Sequence, residues 1–425
     1  MNKKDHLYQT YINILKEELI PAMGCTEPIA IAYGAAKARE VLQAVPDRVR
    51  IEASGSIIKN VKSVIVPNTQ HLKGIPAAAT AGIIAGHSQL ELEVISQVND
   101  QQLAAMKDFL EHTPIDVEHI DHGAVFEIIV TLWHHNDYAK VKIEGYHTNI
   151  VLIEKNGETI FTKKPDHQKS NQSADRNLLN MEAIWQFVQC LDDNDVKAIL
   201  DRQIQYNMTI AEEGLKGDYG ANIGKVLLKS YGDDLKIKAR AYAAAGSDAR
   251  MNGCELPVVI NSGSGNQGIT CSVPVIIYGQ TLQVTTHQLY QALALSNLVA
   301  IHQKTGIGRL SAYCGAVNAG VAAGAGIAFL CGGEYEDVIH TVVNGLAIVS
   351  GIICDGAKAS CAGKIASAVD AGILGYEMYK NGQQFYAGDG IVTKGIEATI
   401  KNIGRLGKEG MKETNNEIID MMIQC

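Results

Sequence analysis

Three cysteines in the second half of the chain have the type and spacing to hold a soft metal. Cys354 and Cys361 stand seven residues apart in GIICDGAKASCAGK, residues 351–364, and Cys314 lies forty residues upstream in SAYCGAVNAG. Thiolate sulfur selects iron–sulfur clusters, zinc or copper(I) over hard cations. On one straight helix, seven residues would separate the Cα atoms by about 10 Å along the axis. Gly356 favours an unwound loop instead, which lets the two sulfurs converge. The competing reading is plain packing, because free cysteine is among the most buried residue types. Spacing alone leaves both open.

Two further stretches could do chemistry. In PAMGCTEP, Thr26-Glu27-Pro28 signals a helix start, with Thr26 or Glu27 as cap and proline in the first turn. Cys25 then precedes a helix N-terminus, where the positive end of the dipole favours a thiolate. A thiol whose pKa is lowered in this way can take a proton from carbon; the alternative is a buried cysteine beside a turn. In VVINSGSGNQGIT, residues 258–270, a β-rich run feeds a Gly/Ser/Asn loop whose N–H groups can face an anion. No Gly-Lys-Ser/Thr follows, and the loop sits in no clear βαβ unit, so nucleotide phosphate is a poor fit.

Taken together, Cys314, Cys354 and Cys361 at this order and spacing, with PAMGCTEP ahead of them, resemble the L-cysteine desulfidase family. That family is related to the iron–sulfur L-serine dehydratases, and the resemblance runs over nearly the whole chain. It implies a 4Fe–4S cluster with three cysteine ligands, Cys314, Cys354 and Cys361, and one open iron, and it implies Cys25 as catalytic base. By analogy with the Ser/Gly loops of the serine dehydratases, Ser262, Ser264 and Asn266 are expected to hold the substrate carboxylate. The implied reaction is β-elimination of L-cysteine to pyruvate, ammonia and hydrogen sulfide without pyridoxal phosphate. L-Serine dehydration is the alternative, and a cluster- or zinc-binding protein without turnover is the reading from another class.

Composition is compatible with such an enzyme. A chain of 425 residues, 46% hydrophobic and 20% charged, has room for two or three domains and a large core. A net charge of −9 without a basic stripe argues against nucleic acid and leaves small molecules as partners. Nine cysteines without dense regular spacing fit a reducing compartment, hence the cytoplasm. Residues 1–20 read as an amphipathic helix, since no apolar signal core follows the basic start.

The elements that must position these residues follow from periodicity. A first helix is expected over 5–20, then a helix after Cys25. Short β-like runs are expected at 49–51, 57–58, 61–66, 91–95, 125–133, 139–144 and 149–154. Asn156-Gly157 signals a hairpin into 158–161, and a helix is expected at 77–86. Residues 162–178 read as a linker, followed by helices over 181–191, 196–214, 223–231 and 235–250. The fold class is therefore α+β: a Gly/Ala-rich helical catalytic domain from 1–45 and 175–425, with an α+β domain, 46–174, inserted.

Between Arg309 and Glu334 no charge occurs, yet thirteen of residues 311–333 are Gly or Ala. A buried helix fits this better than a membrane span, and small residues let backbones approach closely around Cys314 or between subunits of a homo-oligomer. Six of thirteen histidines fall between His112 and His147 and match no ligand motif, so they read as surface residues. Adjacent His134 and His135 are expected to point to opposite faces of a strand.

Overall fold

The computed structural model describes residues 1–163, 174–308 and 310–424, and most of the expected linker therefore lies outside the described residues. It is an α+β protein. A six-stranded sheet runs in the order Ile115–Ile120, Arg48–Ser54, Glu127–His134, Asp137–Glu144, Ile150–Lys155, Glu158–Thr162. The first pair is parallel and the rest antiparallel. Alternation decides its faces: Val49, Ile51, Ala53, Ile128, Val130, Leu132, Ala139, Val141 and Ile143 are all buried, while their neighbours along the strands are more exposed or polar.

The helix Thr26–Leu42 packs on this sheet at Gly34, where an added Cβ would touch Ile143 and Val130 at 3.2 and 3.3 Å. On its other side lies the helix Gly74–Ala85, so close that a Cβ on Gly82 would fall 2.1 Å from the Ala32 carbonyl. Two β expectations fail here. Residues 57–58 and the start of 61–66 belong to a helix, Gly55–Val61, because Ile57 and Val61 both reach the core one helical turn apart. The 91–95 run folds into and just past the 3₁₀ helix Ser88–Glu93, broken at Glu91 with φ 46°; with no ladder partner, Leu92, Val94 and Ile95 bury themselves against the core directly. His134 and His135 also depart from expectation. His135 sits in the hairpin turn with φ 52°, which brings the two rings to 4.3 Å from one another.

Apart from a two-stranded sheet of Pro21–Met23 and Pro257–Val259, the regular structure of the remainder is helical, and Ile223–Tyr231 and Leu235–Met251 fall where periodicity puts them. No helix among the described residues is long and apolar enough to cross a membrane. The charge-free stretch supplies the helix Gly315–Leu330, almost wholly buried. It lies against the helix Cys361–Lys380. A Cβ on Gly320 would meet Ala368 backbone at 2.5 Å, and one on Gly324 would meet Gly372 backbone at 2.5 Å. Both contacts advance by four residues in the same direction, so the two helices run parallel and start at the same end.

This crossing predicts a sharp contrast between glycines. Gly324→Val should lower stability by at least ~2 kcal/mol, because backbone on the facing helix cannot yield as a side chain can. Gly351→Ala, with open space around its Cβ position, should leave the melting temperature unchanged. Thermal unfolding of the two variants beside wild type checks both.

Candidate functional site

The parallel pair brings two thiols together from sequence-distant segments. Cys314 is the N-cap of Gly315–Leu330, and Cys361 is the first residue of Cys361–Lys380. Cys354 joins them through a short antiparallel bridge between Tyr313 and Ile353, in which Cys314 N donates to Ile352 O at 3.2 Å and Cys354 N to Ala312 O at 2.6 Å. The unwound loop expected at Gly356 is present, with φ 96°. Its Cβ position lies 2.3 Å from the Lys59 carbonyl, so both conformation and space demand glycine.

The three thiols line one cavity of about 100 Å³, together with Cys25, Glu27, Lys59, Arg250, Ser264 and Asn266 among others. Four helices begin at it, headed by Cys25, Ser264, Cys314 and Cys361. Their positive ends all favour negative charge there. Cys25 reaches the cavity because Pro21–Met23 pairs antiparallel with Pro257–Val259, and Thr26 Oγ1 donates to Gly263 O at 3.0 Å.

The electrostatics of Cys25 differ from the sequence expectation. Burial, and then the charge of Glu27, push its thiol well above the usual range, outweighing any help from the helix end. The thiol donates to Glu27 Oε2 at 3.2 Å; Thr26 Oγ1, 3.1 Å from the same oxygen, shares its one proton between it and Gly263 O, and Asn60 Nδ2 donates to Oε1 at 3.0 Å. Burial alone would raise the Glu27 carboxyl, but the His147 ring 4.0 Å away and the Cys25 thiol outweigh it and hold it at about 2. His147 is thus the exception among histidines read as surface residues: it is buried, in the turn beyond Glu144. At neutral pH the proton rests on sulfur and the charge on Glu27.

Among these three thiols, Cys314 donates to Cys354, which raises the first and lowers the second; the nearby Lys59 lowers Cys354 further. Burial raises Cys361. Asp355 pairs with both Lys358 and Lys364. The cations that face the cavity are Lys59, Arg250 and Lys304, all at least nine-tenths buried. Lys59 Nζ donates to Cys354 O at 3.2 Å and Asn415 Oδ1 at 2.7 Å.

Ser264 and Asn266 line the cavity. Ser264 caps the helix Gly265–Thr281, and Asn266 Oδ1 accepts from Arg250 Nη1 at 3.1 Å. Ser262 is not among the lining residues, and its hydroxyl donates to Asn261 Oδ1 at 2.8 Å. Asn261 in turn donates to Asn297, which exchanges hydrogen bonds with Gln203, so a fully buried amide network holds the loop from behind. Sequence reasoning missed Lys59 and Arg250 as cavity residues and read Glu27 only as a cap. The available signal was a charge set in a run of small residues, as in AAAGSDAR at 243–250.

Three soft thiol donors from separate segments, ringed by buried cations and helix N-termini, fit an anionic iron–sulfur cluster. The three sulfurs do not all lie within 4.8 Å of one another, a spread too wide for one zinc ion to bind them as they stand.

Comparisons with known proteins show the family to which the chain belongs. The family described as serine dehydratase alpha chain matches residues 89–420, a span that takes in Arg250, Cys314, Cys354 and Cys361. A UPF0597 protein of Desulfitobacterium hafniense is 61% identical over 426 residues, covering 100% of this chain and 99% of its own length. UPF0597 proteins of Lachnoclostridium phytofermentans and Treponema denticola are 49% and 46% identical, covering 98% and 100% of this chain and 100% and 99% of theirs.

The depressed Glu27 carboxyl predicts a pH signature. A group held at about 2 against an ordinary 4.5 contributes stability that is complete above pH 4.5 and is lost as pH falls toward 2. Glu27→Gln should therefore be less stable than wild type by a few kcal/mol near neutrality, with the gap closing through that window. Denaturant titrations across the pH range measure it.

Proposed function

The chain belongs to the serine dehydratase alpha-chain family, and from that premise we propose that it is a lyase that removes a β-substituent from a small amino acid at an iron–sulfur centre. The observation that carries this reading is the meeting of Cys314, Cys354 and Cys361 in one small buried cavity beside a fourth thiol, Cys25, which is hydrogen-bonded to a carboxylate. The proposed group is a 4Fe–4S cluster held by the first three cysteines. When bound, an iron free of protein sulfur supplies a Lewis acid for the leaving group on the β-carbon.

The chain's own residues supply the rest. Cys25 takes the α-proton, with Glu27 at 3.2 Å as the acceptor for the thiol's own proton, so the base is the thiol–carboxylate pair rather than a lone thiolate. Asn60, Thr26 and His147 keep Glu27 ionised for that purpose. The N-terminus of Gly265–Thr281, with Ser264 and Asn266, faces the substrate's carboxylate end. Ser262 acts from behind, steadying the loop through Asn261.

The β-substituent departs with its bonding electrons as the α-proton is removed. The aminoacrylate left behind tautomerises and hydrolyses to pyruvate and ammonia. A thiolate leaving group suits a soft centre better than hydroxide, so L-cysteine is the proposed substrate, with hydrogen sulfide as the third product. L-Serine is the second reading, supported by the family's description.

Anaerobic iron–sulfur reconstitution followed by sulfide and pyruvate assays on both amino acids tests this. Cys25→Ala should keep iron and its visible absorption while losing at least about a hundredfold in turnover. Cys354→Ala should lose both. A reconstituted wild type that turns over neither amino acid sinks the lyase reading, and a colourless protein that retains zinc favours a binding protein without turnover.

A further inference from the structure

Arg250 is the unexplained charge of this cavity. It lies at the end of the helix Leu235–Met251, is 3% exposed, and lines the same space as Cys25, Ser264, Asn266 and Cys361. No carboxylate among the described residues pairs with it. Its acceptors are neutral: Asn266 Oδ1 at 3.1 Å from Nη1, and Met251 Sδ at 4.0 Å. Nε is buried with no hydrogen-bond partner at all. Buried charges are paired in folded proteins, because desolvating a lone ion is costly. A buried guanidinium that lines a cavity with no counter-charge among the described residues, and with Nε unpartnered, therefore marks the place of an anion that the chain itself does not provide.

Its setting specifies the shape of that anion. The guanidinium passes directly over Gly265, the first residue of Gly265–Thr281, where a Cβ would lie 2.2 Å from Nε and 2.7 Å from Cζ. The planar fork of Arg250 thus lies against the first turn of this helix, whose leading N–H groups favour an anion as well. A fork with two parallel donors matches a carboxylate. Lys59 is already engaged with Cys354 O and Asn415.

We propose that Arg250, oriented by Asn266 and seated on the glycine at the start of the Gly265–Thr281 helix, is the anchor for the substrate's α-carboxylate. This rests on the amino-acid lyase reading above and adds the residue that decides which end of the amino acid enters first. The anchor places the α-carbon between the loop and Cys25, and turns the β-substituent toward the three thiols.

The test compares L-alanine, which has no β-leaving group, with L-alaninamide, which lacks the carboxylate, by calorimetric binding to the full reconstituted chain. Wild type should prefer the acid by about tenfold or more, the worth of one charge-assisted hydrogen-bonded pair. Arg250→Met should abolish the preference, and Arg250→Lys should restore part of it. If Arg250→Met does not fold, Asn266→Ala should weaken the same preference by freeing the guanidinium. In turnover, Arg250→Lys should raise KM with iron content and absorption unchanged.

A preference retained in Arg250→Met overturns the anchor, as does a wild type that binds acid and amide alike or binds neither. Loss of iron in the Arg250 variants with the preference intact assigns the residue to balancing cluster charge and also overturns it. The two readings separate cleanly. An Arg250-dependent acid preference in a protein that turns over no amino acid sinks elimination and keeps the anchor; turnover with an unchanged KM in Arg250→Lys and an unchanged preference in Arg250→Met does the reverse.

Discussion

Backbone-to-backbone contact between two parallel helices is the constraint on which the site depends. Gly320, Gly324 and Gly372 let Gly315–Leu330 and Cys361–Lys380 approach until only glycine fits. Because the contacts step in the same direction, the helix starts lie together, and each start carries a thiol. Any larger residue would push the axes apart and separate Cys314 from Cys361. The wealth of glycine and the shortage of phenylalanine in this chain have the same cause: the core is built from close backbone, with few aromatic wedges.

Electrostatics then give the cavity its sign. Helix N-termini and the buried ammonium and guanidinium groups of Lys59, Arg250 and Lys304 all favour negative charge, whereas Glu27 is the one carboxylate among the described lining residues. The free thiols supply only part of that charge: Cys354, which accepts from Cys314 and lies near Lys59, is lowered, whereas Cys25, Cys314 and Cys361 are all raised. A cavity of this sign suits anions that arrive from outside the chain, as the proposed cluster and amino-acid carboxylate would. Glu27 is the counterexample that makes chemistry available: it stays ionised because Cys25, Thr26, Asn60 and His147 surround it.

The sheet domain is more than an insertion in this respect. Lys59 and Asn60 come from the helix that follows its first strand, and His147 from the turn beyond Glu144. The amide network of Asn261, Asn297 and Gln203 performs the matching task on the helical side. Each half of the molecule presents polar groups to a boundary that neither completes alone.

Much of this was legible in the sequence by itself. The order of Cys314, Cys354 and Cys361, the unwound turn at Gly356, the helix start after Cys25, the buried Gly/Ala helix and the α+β class all follow from residue type and period, which report on local backbone and on one face of one element. What the sequence could not convey was which faces meet. Glu27 read as a cap, His147 as a surface residue, Arg250 as nothing, and residues 57–66 as strand. Their roles are set by pairings such as Pro21–Met23 with Pro257–Val259, across more than two hundred residues of chain. The pKa of Cys25 makes the same point: local sequence offered a helix dipole and a carboxylate two residues on, and tertiary structure buried the pair, so that desolvation together with the Glu27 charge is larger than the dipole and opposite in sign. Periodicity is a property of a segment, whereas desolvation and pairing are properties of whatever packs against it, and packing is decided only when the whole chain folds.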